Sequence, residues 1–296
     1  MTFNKQLPAK VINRVKRGYG NWKIRRAQRK FFPHLRANIK TRASKTFIGY
    51  TGYQSELQKL RDIHYGKRGF VIANGPSLNK IDIFKLRNEI TIGCNGIFES
   101  YSDWGFHTTY YMIEDKAQTQ LRAGKIARLK GPVKLAALHN AASFPIRNDM
   151  LLFNTALIQR RKDNDEFQVE FSKNFSSVAH LGSTVTYLML QFSFHIGLET
   201  VYIVGLDHNY GALPKLFPPG KIKVTEENYH LVQQCHYDKS YYKIGDVIGV
   251  PHVKIQEEAY AKARHAYEQE GRRIVNVSPG SKLTVFETAD FESIGF

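Results

Sequence analysis

From Lys67 onward the chain alternates short apolar runs rich in β-branched residues with longer segments whose apolar positions recur at helical spacing. Continuous apolar runs suit strands covered on both faces, and their alternation with amphipathic segments is the pattern of a mainly parallel sheet flanked by helices. The predicted strands are Gly69–Ala73, Glu89–Cys94, Thr108–Ile113, Val133–Ala137, Thr200–Gly205 and Arg273–Val277. Two helices stand out. Ser183–Ile196 sets Val185, Leu188, Met189 and Phe192 on one face and stops at Gly197; Ile255–Gln269 does the same with Ala259, Ala263, Ala266 and Tyr267 and stops at Gly271. A short helix around Ser55–Ile63 lies in a connector at 46–66, and no internal repeat is present. The expected fold class is α/β, a Rossmann-like mainly parallel sheet with helices on both faces spanning 67–296, behind an N-terminal extension at 1–66.

Between Asn209 and Val250 the pattern breaks down: Pro214, Pro218, Pro219 and Gly220 precede a stretch rich in Tyr and His. An irregular insertion of this length in a compact α/β domain is expected to be a binding loop, here a lid over 208–250. It leaves the sheet after the strand that runs into Asp207, so it should cover the carboxyl edge, where open α/β sheets bind ligands.

Composition adds two constraints. A chain of 296 residues, 42% hydrophobic and 12% aromatic, buries a substantial core and is not disordered throughout. It holds no apolar run near the roughly 18 residues of a spanning helix and no signal-peptide block, and Cys94 and Cys235 are too few and too far apart for a disulfide framework or a cysteine zinc site. A cytoplasmic protein is expected. The net charge of +17 is concentrated: residues 1–45 hold fourteen Lys and Arg and no acid, leaving 29 basic against 26 acidic residues elsewhere. In that arm Trp22, Ile24, Phe31, Phe32 and Leu35 interleave with Lys23, Arg25, Arg26, Arg29, Lys30 and Arg36. Such a segment suits an anionic membrane surface, at about 1 kcal/mol per cation near the lipid. A solvated arm, or a helix packed on the body, remains the alternative; nucleic acid is disfavoured because no recognition module follows.

The candidate chemistry gathers at predicted strand ends. Asn74-Gly75-Pro76-Ser77-Leu78 follows the first strand as a tight turn, with Ser77 placed to cap a helix around Ile81–Leu86. A helix N-terminus so presented favours an anion such as a nucleotide phosphate, although a plain strand-to-helix turn would look the same. Asn95 ends the next strand, and adjacent amides suggest a shared ligand. Cys94 beside it reads as a core residue. Asp115 and Asp207 end further strands, where carboxylates hold Mg²⁺ on a diphosphate, accept a proton, or simply cap turns. Gly205-Leu-Asp-His-Asn-Tyr210 and Cys235-His-Tyr-Asp-Lys-Ser-Tyr-Tyr242 concentrate imidazole and phenol groups around the lid. A histidine metal motif and a Gly-x-Ser-x-Gly elbow are both missing.

In order, Asn74-Gly-Pro-Ser-Leu78, Cys94-Asn95, Gly182-Ser183-Thr184, Gly205-Leu-Asp207 and His236-Tyr237 resemble a bacterial superfamily over roughly residues 67–290. It unites one-domain sialyltransferases, motility-accessory-factor flagellin glycosyltransferases and proteins like the archaeal 6-hydroxymethylpterin diphosphokinase. The sialyltransferase branch implies a CMP-activated nonulosonic acid as donor, with no tightly bound cofactor and no metal, because CMP leaves with a single phosphate. It implies that Asn74, Gly75, Pro76, Ser77, Asn95 and Tyr237 contact the nucleotide, and that Ser183 or Thr184 binds the donor's carboxylate or base. His236 would be the general base toward the acceptor hydroxyl, with Asp207, Tyr210 and Tyr229 completing the catalytic set. Asp115 departs from that branch, and with Asp207 it would suit Mg²⁺ and a diphosphate, as in the diphosphokinase branch. A third reading keeps a non-catalytic nucleotide-binding module. The implied partners are a nucleotide-sugar donor, a cell-surface glycan, glycoprotein or lipid-linked acceptor, and the inner face of the membrane through residues 1–45; a homo-oligomer is left open.

Overall fold

Eight short runs form one wholly parallel sheet in the computed structural model, which describes residues 53–144, 149–160 and 167–296. The strands are β1 Arg68–Ile72, β2 Thr91–Cys94, β3 Tyr110–Ile113, β4 Val133–Ala137, β5 Met150–Phe153, β6 Thr200–Val204, β7 Arg273–Asn276 and β8 Glu287–Thr288. Their order is β8-β7-β6-β1-β2-β3-β4-β5, every pair parallel. All four residues of β2 and of β3 are buried, the cover on both faces that continuous apolar runs require. The two strands not predicted have weak signatures: β5 is four residues long, and β8 is two exposed polar residues.

Five helices matter for the site: α1 Tyr53–Lys59, α2 Lys116–Arg128, α3 Val185–His195, α4 Glu226–Gln233 and α5 Val253–Glu268. α3 is buried along almost its whole length, because it packs on β1, β2 and β3 with one side and on α5 with another. It stops at Gly197, whose φ of +91° suits glycine. α2 escapes periodicity because its buried face is polar, made of Gln118, Thr119 and Arg122 with Ile126. The arm at 1–45 and the first residues of the connector lie outside the described residues. Among the described residues no helix is long and apolar enough to cross a membrane.

The lid is more regular than expected. Strands Gly220–Lys223 and Val247–Val250 pair antiparallel, and α4 opens with a capping box in which Asn228 Oδ1 accepts from the Thr225 N–H at 2.9 Å. These elements enclose a small apolar cluster of Leu213, Val224, Val232, Tyr241, Tyr242, Ile248 and Val250. Four-residue strands carrying Lys and Gly, as in Gly220-Lys-Ile-Lys223, leave too little alternation to be read from sequence.

Candidate active-site cavity

The chain builds the sheet outward from β1, first to one side through β5 and then, from β6, to the other. The reversal lies between β1 and β6, and the turn Asn74–Leu78 and residue Asp207 leave the sheet there. The turn is filled from within the protein. The Gly75 N–H donates to Gly205 O at 2.8 Å, the Leu78 N–H to Gly75 O at 3.2 Å, and the Ser77 N–H to Asp207 Oδ2 at 2.9 Å, while the Ser77 hydroxyl donates to Asp207 Oδ1. Pro76 has no donor. A carboxylate thus already occupies the place expected for a phosphate. The helix expected around Ile81–Leu86 is a 3-10 helix at Ile83–Asn88, and its cap is Asp82, which accepts the Phe84 N–H at 3.1 Å, while Ser77 lies inside a separate 3-10 helix at Pro76–Lys80. A Cβ at Gly75 would stand 2.5 Å from Gly205 O and 2.8 Å from Asp207 Cγ. Gly75→Ala should therefore lose about 1–3 kcal/mol of stability in urea unfolding; an unchanged midpoint would show that the turn tolerates a side chain.

Beside this turn, over the ends of β2 and β3, lies a cavity of about 590 Å³, in the size range of small-molecule and cofactor sites. Of the residues singled out from sequence, Asn95, Asp115, Ser183, Thr184, Tyr210 and His236 line it; Asn74, Gly75, Pro76, Ser77, Asp207, Tyr229 and Tyr237 do not. Asn74 instead donates from Nδ2 to Cys94 Sγ at 3.2 Å, and burial pushes the Cys94 thiol up to about 12. Tyr237 fastens the lid to the sheet: its N–H donates to Asn74 O at 2.9 Å and its hydroxyl pairs with Ser100 Oγ at 2.8 Å. Tyr229 packs against the lid's apolar cluster.

Three helices of more than two turns begin at the cavity wall: α2 at Asp115 and Gln118, α3 at Thr184 and Val185, and α5 at His252, Ile255 and Gln256. Each helix N-terminus carries unpaired N–H groups and partial positive charge. Asp115 answers the first itself, accepting the Gln118 N–H on Oδ1 at 2.8 Å. α3 uses one donor locally, from the Thr186 N–H to Thr184 Oγ1 at 3.3 Å, and α5 has no side-chain cap. Two cavity residues, Asn95 at φ +53° and Ser183 at φ +61°, hold left-handed backbone conformations, which cost energy and concentrate at functional sites. Asn95 Oδ1 and His236 Nδ1 are buried polar atoms without a hydrogen-bond partner. A ligand in the cavity could satisfy both.

The lid-side wall is held by Arg122, whose side chain is 4% exposed. It donates from Nη1 to Gln118 Oε1 at 2.6 Å and from Nη2 to Tyr241 O at 2.9 Å, contacts Glu99 Oε2 at 3.2 Å, and lies 4.6 Å over the Tyr241 ring. Tyr241 accepts the Gly96 N–H at 3.0 Å, and Gln118 donates to the Tyr242 hydroxyl. His236 stacks on Tyr241 at 4.3 Å between centroids. Burial above all, with the Arg122 charge as a smaller contribution, pushes its imidazole down to about 4 against the weaker pull of the Val232 carbonyl and Asp238. Its folded pKa lies below the ordinary 6.5, so the stability it contributes is fully present above about pH 6.5 and is lost as pH falls toward 4. Wild-type unfolding free energy should drop by up to about 3 kcal/mol more over that window than that of His236→Gln. Parallel pH profiles would contradict the burial of this ring.

Asp115 and Asp207 do not face one another across the cavity, since Asp207 is turned to Ser77 and lies off the wall. Among the described residues no three His, Cys, Asp or Glu side chains stand close enough to hold a metal ion. Sequence reading passed over Glu114, Gln118, His252 and Gln256, all on the wall, and noted Tyr242 only as part of the segment Cys235–Tyr242. His252 left a signal, standing three residues before the helical pattern that begins at Ile255; Gln118 left none, because α2 went unseen.

No protein-family model matches the chain, and no curated protein matches it. Among solved structures, a MAf glycosyltransferase from Magnetospirillum magneticum AMB-1 is similar, with a TM-score of 0.46 and 11% identity. The similarity covers 82% of this chain and 38% of that one, so the chain spans well under half the length of the matched protein.

Proposed function

We propose that the chain is a glycosyltransferase that holds a nucleotide-activated sugar in this cavity and passes the sugar to an acceptor hydroxyl on a cell-surface glycan or glycoprotein. The observation that carries the reading is the convergence of three helix N-termini on one cavity at the carboxyl edge of a parallel sheet. The donor phosphate sits at the mouths of α3 and α5 beside Ser183 and Thr184, and Asn95 Oδ1 and His236 Nδ1 gain ligand partners. In transfer the acceptor oxygen bonds to the anomeric carbon, the carbon–oxygen bond to phosphate breaks, and the nucleotide leaves with the electron pair. The acceptor proton goes to an imidazole, and His236 and His252 both line the wall. His236 is stacked on Tyr241 and its imidazole is driven down by burial, whereas His252 stands at the mouth of α5 beside the donor phosphate, so we assign the proton to His252 and a neutral hydrogen-bonding role to His236. Tyr210, held by Gln256 Oε1 at 2.9 Å, closes the wall over the leaving group. The basic arm at 1–45 would rest on the cytoplasmic face of the membrane, near lipid-linked acceptors. Its removal should weaken binding to anionic vesicles in a salt-sensitive way, and unchanged binding would discard that role.

The rival reading, a Mg²⁺-dependent pterin diphosphokinase, calls on Asp115 and Asp207 for one ion, and these two stand apart. A thermal-shift panel of CMP, CDP, UDP, GDP and ATP with and without Mg²⁺ separates the readings by linkage. Stabilisation by CMP or a nucleoside diphosphate without metal supports the transferase. Stabilisation by ATP plus Mg²⁺ alone would replace it with the kinase, and binding without sugar turnover would leave a nucleotide-binding module.

A further inference from the structure

The cavity wall carries both signs. The N-termini of α3 and α5 and Lys221 line it, and so do two carboxylates at the end of β3, those of Glu114 and Asp115. Neither is placed by chance. Asp115 is fixed as the cap of α2 through the Gln118 N–H. Glu114 Oε1 lies 3.0 Å from His139 Nε2, and the other nitrogen of that imidazole lies 3.0 Å from Thr155 Oγ1, so both ends of the ring are held. A ligand in the cavity meets helix N-terminal donors and carboxylate acceptors on the same wall. Asn95 Oδ1, a buried polar atom with no hydrogen-bond partner on a residue of the same wall, points independently to a ligand in this space.

Carboxylates receive sugars well when the sugar offers hydroxyl donors, since each oxygen accepts hydrogen bonds stronger than neutral ones. A sugar that brings its own carboxylate brings repulsion instead, and in a partly desolvated cavity like charges weigh more than in water. We propose that Glu114 and Asp115 are specificity-determining residues that make the transferred group a neutral, hydroxyl-rich sugar and exclude carboxylated ones. The inference rests on the nucleotide-sugar reading above, and it turns that reading away from the nonulosonate donor implied by the sequence resemblance.

The test uses matched ligands on the full-length protein, with affinities from titration calorimetry. UDP-glucose and UDP-glucuronate differ only at C6, and CMP-N-acetylneuraminate is compared with CMP. The neutral sugar should bind at least about tenfold more tightly than its acid, and CMP-N-acetylneuraminate no more tightly than CMP. Glu114→Gln and Asp115→Asn, the second retaining an N-cap residue, should each shrink the discrimination while leaving affinity for the free nucleotide unchanged. Equal or tighter binding of the acid, or discrimination untouched in both variants, overturns this inference alone. Failure of every nucleotide to bind overturns the transferase reading and this inference with it.

Discussion

His252→Ala is expected to lower sugar transfer by about 100- to 10,000-fold, the range over which a positioned general base acts, while leaving nucleotide affinity nearly intact. The imidazole stands at the uncapped mouth of α5 on the cavity wall, its ring edge-to-face with Phe167 at 5.0 Å, and no internal hydrogen bond at the helix terminus depends on it. His236→Gln should show the opposite split. It removes a polar atom that the ligand would satisfy and leaves the base in place, so the donor KM should rise with kcat little changed. Exchange of these two phenotypes would return the proton to His236. Loss of nucleotide binding in His252→Ala would move that residue to the donor phosphate.

Arg122→Met is expected to cost about 3 kcal/mol or more in urea unfolding. The guanidinium is buried and ties Gln118, Tyr241 and Glu99 together, so its loss strands the Tyr241 carbonyl and Gln118 Oε1 in a low-dielectric wall. Arg122→Lys should fall between, because an ammonium keeps the charge but cannot make the planar fork. A change below about 0.5 kcal/mol would mean that the lid wall does not depend on this contact.

The sheet was legible because buried parallel strands announce themselves as apolar runs. Thus β1, β4, β6 and β7 fall within a residue of the positions read from sequence, and β2 and β3 each start two residues late. Helices α3 and α5 were legible for the complementary reason, each having an apolar stripe and a glycine stop. α2 was not, since Gln118, Thr119 and Arg122 turn inward with Ile126 and leave its buried face without an apolar stripe. The same holds at the site. Strand ends brought Asn95 and Asp115 to notice, and Gly182-Ser183-Thr184 led to the mouth of α3. Which side chains face the cavity depended on long-range partners. Asp207 faces Ser77, 130 positions away, and Tyr237 is drawn onto Asn74. No local pattern encodes those choices. The turn at Asn74–Leu78 was conspicuous for its packing against Gly205, and a turn that must exclude a side chain looks in sequence like one that must admit a phosphate.

Gly249 offers the most direct measurement of whether the nucleotide occupies this cavity. It lies on the lining, and a Cβ placed there would meet no heavy atom within 4 Å, so the strand can carry Gly249→Trp, whose ring takes up space beside the lining. Nucleotide titrations of wild type and variant by calorimetry, with urea unfolding as the control for folding, should give saturable binding to the wild type and none to an equally stable variant. Equal affinity in the two proteins, or no nucleotide bound by the wild type, would contradict the account.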